Sequence, residues 1–439
     1  MLARNLKQRL IAATQNEDGA MTVFSVFCFI TALMVGGLAV DVTTVMMERT
    51  RLQVAADAGA HAALLARDTM LEADAKAEAI RVANLNMPNS LYGNILTTDD
   101  ITFGTWNATN ASFTAVAGSR NAVHVQPKRD TSKQNAVATY ILKIVGFNEW
   151  NLKVDSIFTT YRPTCLREGF VADGVVDLQS NNSFTNGFCI HSNTYVSLNS
   201  NNYFEPGTVV SMPDTADIEL PNSGYKTNTG LSSALRSGSF YVRIVPRIIQ
   251  IIAGLNSNDP RYVPSYISSL LVVTLDPKKA IIQTMLVPGR MHNMTCSNSA
   301  AANVANDVIF QDVVLRTNCV IKFGQGVVLQ NTVIATSSTD VKSITAAAGL
   351  QVGKNDNCAA GGGAQLVTMG GMSFPSDLKV YGGQLLAKGD IQFAANANGI
   401  QGASFVAGGI ISGTSNMSMG FCGTGMDNNF EAEYFKMTY

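Results

Sequence analysis

Between Gly19 and Val40 the chain runs for 22 residues without a charge. Folded as a helix rising about 1.5 Å per residue, this run reaches about 33 Å, enough to cross a hydrocarbon layer of about 30 Å. Residues 19–42 are therefore expected to form one transmembrane helix behind a short cytoplasmic N-terminus, residues 1–18. Arg4, Lys7 and Arg9 precede the run, and short basic flanks stay in the cytoplasm, so everything after Asp41 is expected outside it. A cleaved signal peptide is the rival reading. The run exceeds the core of roughly 7 to 15 residues usual for a signal, and the helical pattern continues past it, which favours a retained anchor.

The chain has 439 residues, room for two or three domains. Only 14% are charged and the formal net charge is -1. That balance offers no basic footprint for nucleic acid, so no nucleic-acid partner is expected. Of seven cysteines, Cys28 lies in the apolar run, and Cys165, Cys189, Cys296, Cys319, Cys358 and Cys422 all fall in the C-terminal part. An even set in an exported region points to disulfides, with about 15 possible connectivities. The working expectation is sequence-neighbour pairing: Cys165 with Cys189, Cys296 with Cys319, Cys358 with Cys422. Zinc is the competing use, but no pair has C-x-x-C spacing and the four histidines are scattered; no metal site and no cofactor is expected.

From Met46 to about Asn84 the sequence reads as a continuous helix, dense in Ala, Leu, Met, Glu, Lys and Arg and free of proline. Ala55, Ala56, Ala60, Ala63 and Leu64 recur at spacings of three and four, a small-residue stripe on one face. This stem, residues 43–86, is either a spacer or a packing surface for a partner helix or for its own domain. Met87-Pro88-Asn89-Ser90 ends it. Residues 87–162 then read as a small α+β unit. Strands are expected at Ile101 to Trp106, Ala122 to Gln126 and Asn151 to Tyr161, and a short helix at Ala136 to Val145.

These segments resemble a known family. Gly37-Leu38-Ala39-Val40-Asp41-Val42, followed by Glu48 to Ala58 with Arg51, Leu52, Gln53, Ala55, Ala56 and Asp57, resembles the N-terminus of TadG-like proteins of the bacterial Tad (Flp) pilus assembly system. Phe103-Gly104-Thr105-Trp106, Phe113 and Asn121 to Val125 look like that family's first extracytoplasmic strands. The resemblance covers about residues 17–162. It implies an inner-membrane, single-pass component with its N-terminus in the cytoplasm, a pilin-like unit, and other pilus assembly or pilin-like proteins as partners. Two family features are not implied. Counting from Ala20, the fifth residue is Phe24 where prepilins carry glutamate, and no Asp-x-Ser-x-Ser metal motif of a von Willebrand A domain occurs.

Residues 163–439 change texture, becoming rich in Asn, Ser, Gly and Val. Val176 to Phe184 recurs as Val196 to Phe204 at an offset of 20 residues. Such a period, with short strands and Asn or Gly corners, suits coils of a parallel β-helix, a sandwich or another barrel being the alternatives. The stretch 231–269 interrupts the pattern and is expected to be a partly helical excursion or a lid over one end. Asn181, Asn182, Asn201 and Asn202 are read either as a sugar-binding face or as amide ladders satisfying corner backbone groups. The expected fold class is thus mixed: a transmembrane helix continuing as a stem, a small α+β pilin-like unit, and a large all-β domain, a right-handed parallel β-helix.

Catalytic constellations are scarce. Gly349 to Asn355 lacks the spacing and final hydroxyl of a phosphate loop, and neither G-x-S-x-G nor H-E-x-x-H occurs. Asp173 with Asp177, or Asp312 with Asp340, could meet across coils as paired acids. His191 and His292 are read as turn residues with satisfied rings. No catalytic residue is assigned and no enzymatic activity is expected. The expected function is a structural component in pilus assembly, anchoring or surface adherence; the alternatives are a membrane-tethered adhesin that binds a surface glycan and, behind it, a polysaccharide-acting enzyme.

Overall fold

The computed structural model describes residues 18–297, 300–357, 359–424 and 426–438. They form two units, one running to Tyr161 and taking up the residues from Glu433 onward, the other Arg162–Ala432.

The first unit is built on α1, Asp18–Arg67, an unbroken helix of 50 residues. Its N-terminal half is long and apolar enough to cross a membrane, and the residues from Met21 to Val40, Gly37 apart, are exposed there. Further along, the small-residue stripe turns inward: Leu52, Ala55, Ala56, Ala60, Ala63 and Leu64 are buried. The predicted stem to Asn84 is not one helix. The chain breaks after Arg67, at the poor helix formers Asp68 and Thr69, and α2, Glu72–Asn86, packs back along α1. A continuous helix would leave two alanine faces in water; the turn buries Ala75, Ala79 and Ala83 against the stripe on α1. The approach is close, since a Cβ on Gly59 would lie 3.3 Å from the Ala79 carbonyl. The stripe therefore serves its own domain.

An antiparallel sheet completes this unit, with strands β1 (Ile101–Asn107), β2 (Ser112–Ala115), β3 (Ala122–Val125), β4 (Ser156–Tyr161) and β5 (Tyr434–Met437) in the order β2-β1-β3-β4-β5. Phe103, Val123 and Val125 pack with the buried face of α1. The expected helix over 136–145 is instead a hairpin: Val137–Ala138 pairs with Glu149–Trp150, and its tip is a single 3-10 turn, Leu142–Val145. β-branched Ile141, Ile144 and Val145 disfavour a longer helix, and Gly146, at φ 91°, closes the turn.

The second unit is a stack of parallel coils. The repeat seen in the sequence is one coil on the next, with Val176 opposite Val196 and Phe184 opposite Phe204. Along one face the order is Ile281, Ala301–Asn303, Val320–Phe323, Ile344–Ala346, Met372 to Phe374, Ile391 to Phe393, Ile411–Gly413, Val176–Leu178, Val196–Leu198, Glu219. The chain thus enters the stack in its middle, builds outward to residue 219, crosses to the far end, and returns until Ile411 lands beside Val176. Coils near in sequence are neighbours except at this junction, where the first coil meets the last.

The stretch 231–269 makes the crossing. Leu235–Ser237 closes one edge of the sheet and Ser269–Thr274 opens the other. Between them α3, Ile244–Ser257, packs Ile244, Ile248, Ile251 and Leu255 against Val171, Val314, Val333, Val367, Leu386 and Val406 from successive strands. It covers a flank, so of the two expectations the partly helical excursion is what forms and the lid over one end is not. Strand residues that would face water are apolar here because a helix shields them. Inside the coils the largely aliphatic core holds a chain of ring contacts that joins Phe184, Phe188, Phe170, Phe393 and Phe405.

Candidate functional site

Family-motif residues fasten the rest of the first unit to α1. Leu52, Ala55 and Ala56 are core. The Gln53 amide donates to Asp57 at 2.9 Å and to the Asp155 carbonyl at 3.1 Å, tying the helix to the segment before β4. The Asp155 carboxylate receives the side chains of Gln126 and His124. Burial raises its pKa, but those hydrogen bonds and Lys153 hold it below the ordinary aspartate value. Arg51 donates to Glu48 at 2.8 Å, and Glu48, nearly buried, also pairs with Arg129, whose guanidinium lies over the Tyr92 ring.

Gly37 and Asp41, one turn apart, form a second fastening. The Asp41 carboxylate accepts the backbone N–H groups of Tyr140, Ile141 and Leu142 at 2.7, 3.0 and 2.7 Å. These are the amides that open the 3-10 turn at the hairpin tip, which an acidic side chain caps well. Gly37 is required by the same contact, because a Cβ there would stand 2.1 Å from Cγ2 of Ile141.

One charged node in this unit was not legible from spacing. The Asp100 carboxylate, 5% exposed, binds Lys128 at 3.0 Å, Lys133, and both the backbone and hydroxyl of Thr97. Burial pushes its pKa up, but Lys133, Thr97 and Lys128 together hold it at about 2.

In the second unit, Cys165–Cys189 and Cys296–Cys319 are disulfides, as the neighbour pairing expected. Cys422 is also disulfide-bonded; its expected partner Cys358 lies outside the described residues. The asparagines form a ladder. The Asn182 backbone donates to Asn202 Oδ1 at 2.9 Å, and the Asn202 backbone to Asn228 Oδ1 at 3.2 Å. Asn182 and Asn202 are fully buried, out of reach of a sugar, whereas Asn181 and Asn201 turn the corners with φ of 60° and 62° and stay exposed.

His191 and His292 lie in strands, a correction to their reading as turn residues. His191 bonds Ser211 and Asn193 and stacks on Phe240 at 4.1 Å. Burial depresses both imidazole pKa values. The candidate acids are each held locally: Asp173 accepts from Asn193, Asp177 from Gln179, Asp312 from Asn331, and Asp340 from the backbone of Lys342. Among the described residues no group of three or more His, Cys, Asp or Glu could hold a metal. A shallow open groove of mixed lining runs along neighbouring coils, with Asp177, Gln179, Ser197, Asn199 and Glu219 beside Leu198, Ile218, Leu220 and Pro221.

Family comparisons divide the chain along the same lines. Residues 19–75 match the TadE/G-like Flp pilus-assembly family, residues 58–157 match the Tad-like Flp pilus-assembly family, and residues 169–423 match the family described as Domain of unknown function (DUF7867). No curated protein and no solved structure matches the chain. The chain therefore belongs to the DUF7867 family, whose domain fills the stack of parallel coils, and it carries a TadG-like Flp pilus-assembly region at its N-terminal side.

Proposed function

We propose that this protein is a membrane-anchored structural component of a Tad (Flp) pilus system that works by protein contacts and catalyses no reaction. The observation that carries the reading is the continuity of α1: one helix runs from an exposed apolar half into the core of a domain that matches the pilus-assembly families. In this reading α1 crosses the bacterial inner membrane with its N-terminus in the cytoplasm. The helix packed on an antiparallel sheet is the pilin-like unit, and it meets other pilus assembly or pilin-like proteins. The parallel coils form a right-handed β-helix that projects into the periplasm or to the cell surface. Disulfides in that domain suit an oxidising compartment.

A second reading, a tethered adhesin, is favoured by the open groove in which the polar Asp177, Gln179, Ser197 and Asn199 lie beside the apolar Ile218, Leu220 and Pro221, a mixture that suits the hydroxyls and the apolar ring faces of a surface glycan. The discriminating experiment is deletion in the native host, scoring pili by electron microscopy beside surface attachment. Loss of pili, restored by a copy with α1 intact, supports the structural reading. Normal pili with reduced attachment overturns it in favour of the adhesin.

A further inference from the structure

The hairpin between Val137 and Trp150 ends in the sequence Tyr140-Ile141-Leu142-Lys143-Ile144-Val145-Gly146-Phe147. Scattered exposed apolar residues are ordinary, but a contiguous set marks a contact surface. Here Ile144 is 79% exposed, Val145 62% and Tyr140 61%, and Phe147 joins them. The position of this tip is fixed. Asp41 holds its first three amides, and Ile141 rests on Gly37; both anchoring residues sit at the end of the uncharged run. The apolar surface of the tip is therefore continuous with the exposed apolar surface of α1.

We propose that this tip inserts into the interfacial layer of the bilayer beside the anchor, giving the first unit a second membrane contact; the proposal rests on reading α1 as a transmembrane helix. Three observations fit a lipid surface as the occupant. Irregular backbone is costly in a membrane unless its polar groups are met internally. In this tip six N–H groups are met: Asp41 takes those of 140–142, Ile144 donates to Ile141, Gly146 to Lys143 and Phe147 to Leu142. The side chains are those of an interface, with Tyr140 amphipathic and Ile144, Val145 and Phe147 apolar. The one charge, Lys143, has a long stem that lets its ammonium reach lipid phosphates while its methylenes stay with the apolar residues. A single helix leaves rotation and tilt free; a second contact at a defined azimuth fixes both.

The test uses the full chain with Cys28→Ser and one reporter cysteine at a time, Ile144→Cys, Phe24→Cys or Thr109→Cys. Each is labelled with an environment-sensitive nitrobenzoxadiazole dye in phosphatidylcholine and phosphatidylglycerol vesicles carrying shallow or deep doxyl quenchers. The expected result is a blue-shifted label at 144 quenched best by the shallow lipid, a label at 24 quenched by the lipid quenchers, and a label at 109 quenched by neither. A label at 24 that is quenched while 144 behaves like 109 overturns the insertion and leaves the anchor standing. A label at 24 that escapes quenching overturns the anchor and the insertion together. Val145→Cys provides a second reporter in the tip and must agree with 144.

Discussion

The side-chain oxygen of Asn182 accepts the backbone N–H of Met417, 235 residues further along the chain, at 3.0 Å. The same amide donates to the Gln179 carbonyl at 2.8 Å, so one buried side chain staples the first coil of the second unit to the last. Asn182→Ala leaves both backbone groups unmet, and a loss of about 1–3 kcal/mol of stability is expected. Urea denaturation followed by tyrosine and far-UV signals checks it. Asn181→Gly, at an exposed corner with positive φ, is expected to change the midpoint little.

A Cβ at residue 37 has no room, whereas at Gly36 nothing lies within 4 Å. Gly37→Val and Asp41→Ala are expected to free the hairpin tip and to speed amide exchange at Tyr140, Ile141 and Leu142 at least tenfold. Gly36→Ala is expected to leave those rates unchanged. Equal rates in all three variants would mean that the tip is held by something other than this contact.

Acid should loosen the first unit through Asp100. Its folded pKa, about 2, lies below the ordinary 3.8, so its contribution is complete above about pH 4 and is lost as pH falls through the range from 4 to 2. The shift corresponds to about 2 kcal/mol. Asp100→Asn is expected to flatten this acid limb; an unchanged slope between pH 4 and pH 2 would exclude Asp100 as its source.

Arg316 reaches from its strand to the end of α3, donating to the carbonyls of Leu255 and Asn256 at 2.6 and 2.8 Å and to the Asn258 side chain at 3.0 Å. A cation at a helix C-terminus meets both the unpaired carbonyls and the helix dipole. Arg316→Met should cost about 1.5–3 kcal/mol and raise protease cleavage near residues 256–262, with the disulfides intact. If cleavage there is unchanged, the helix end is secured by its apolar face alone.

Several of these features were legible in the sequence because they repeat or run on. The uncharged stretch, the 20-residue offset between Val176 and Val196, and the neighbouring cysteine pairs each follow from a local pattern. What was missed depends on distant partners. The alanine stripe predicted a long helix, because propensity does not record that Ala75, Ala79 and Ala83 need the stripe of α1 to cover them. Asp100 looked like one acid among many until Lys128 and Lys133 were placed around it. The pairing of Val176 with Ile411 has no signature at either position, since any coil offers the same edge. The hairpin tip did leave a signal, a dense apolar cluster around a lone Lys143, but helix spacing and interface contact produce similar clusters over eight residues.

The order of the coils sets a schedule for folding during synthesis. Residues 176–178 emerge with one edge bare, and that edge stays open until Ile411 has followed; β4 likewise waits for β5. At a synthesis rate of about 5–20 residues per second, a delay of 235 residues lasts roughly 10–50 s. Unpaired parallel edges are prone to join the wrong strand for as long as they are exposed. The nascent protein therefore carries an unpaired strand edge for the whole interval between the synthesis of its first coil and that of its last.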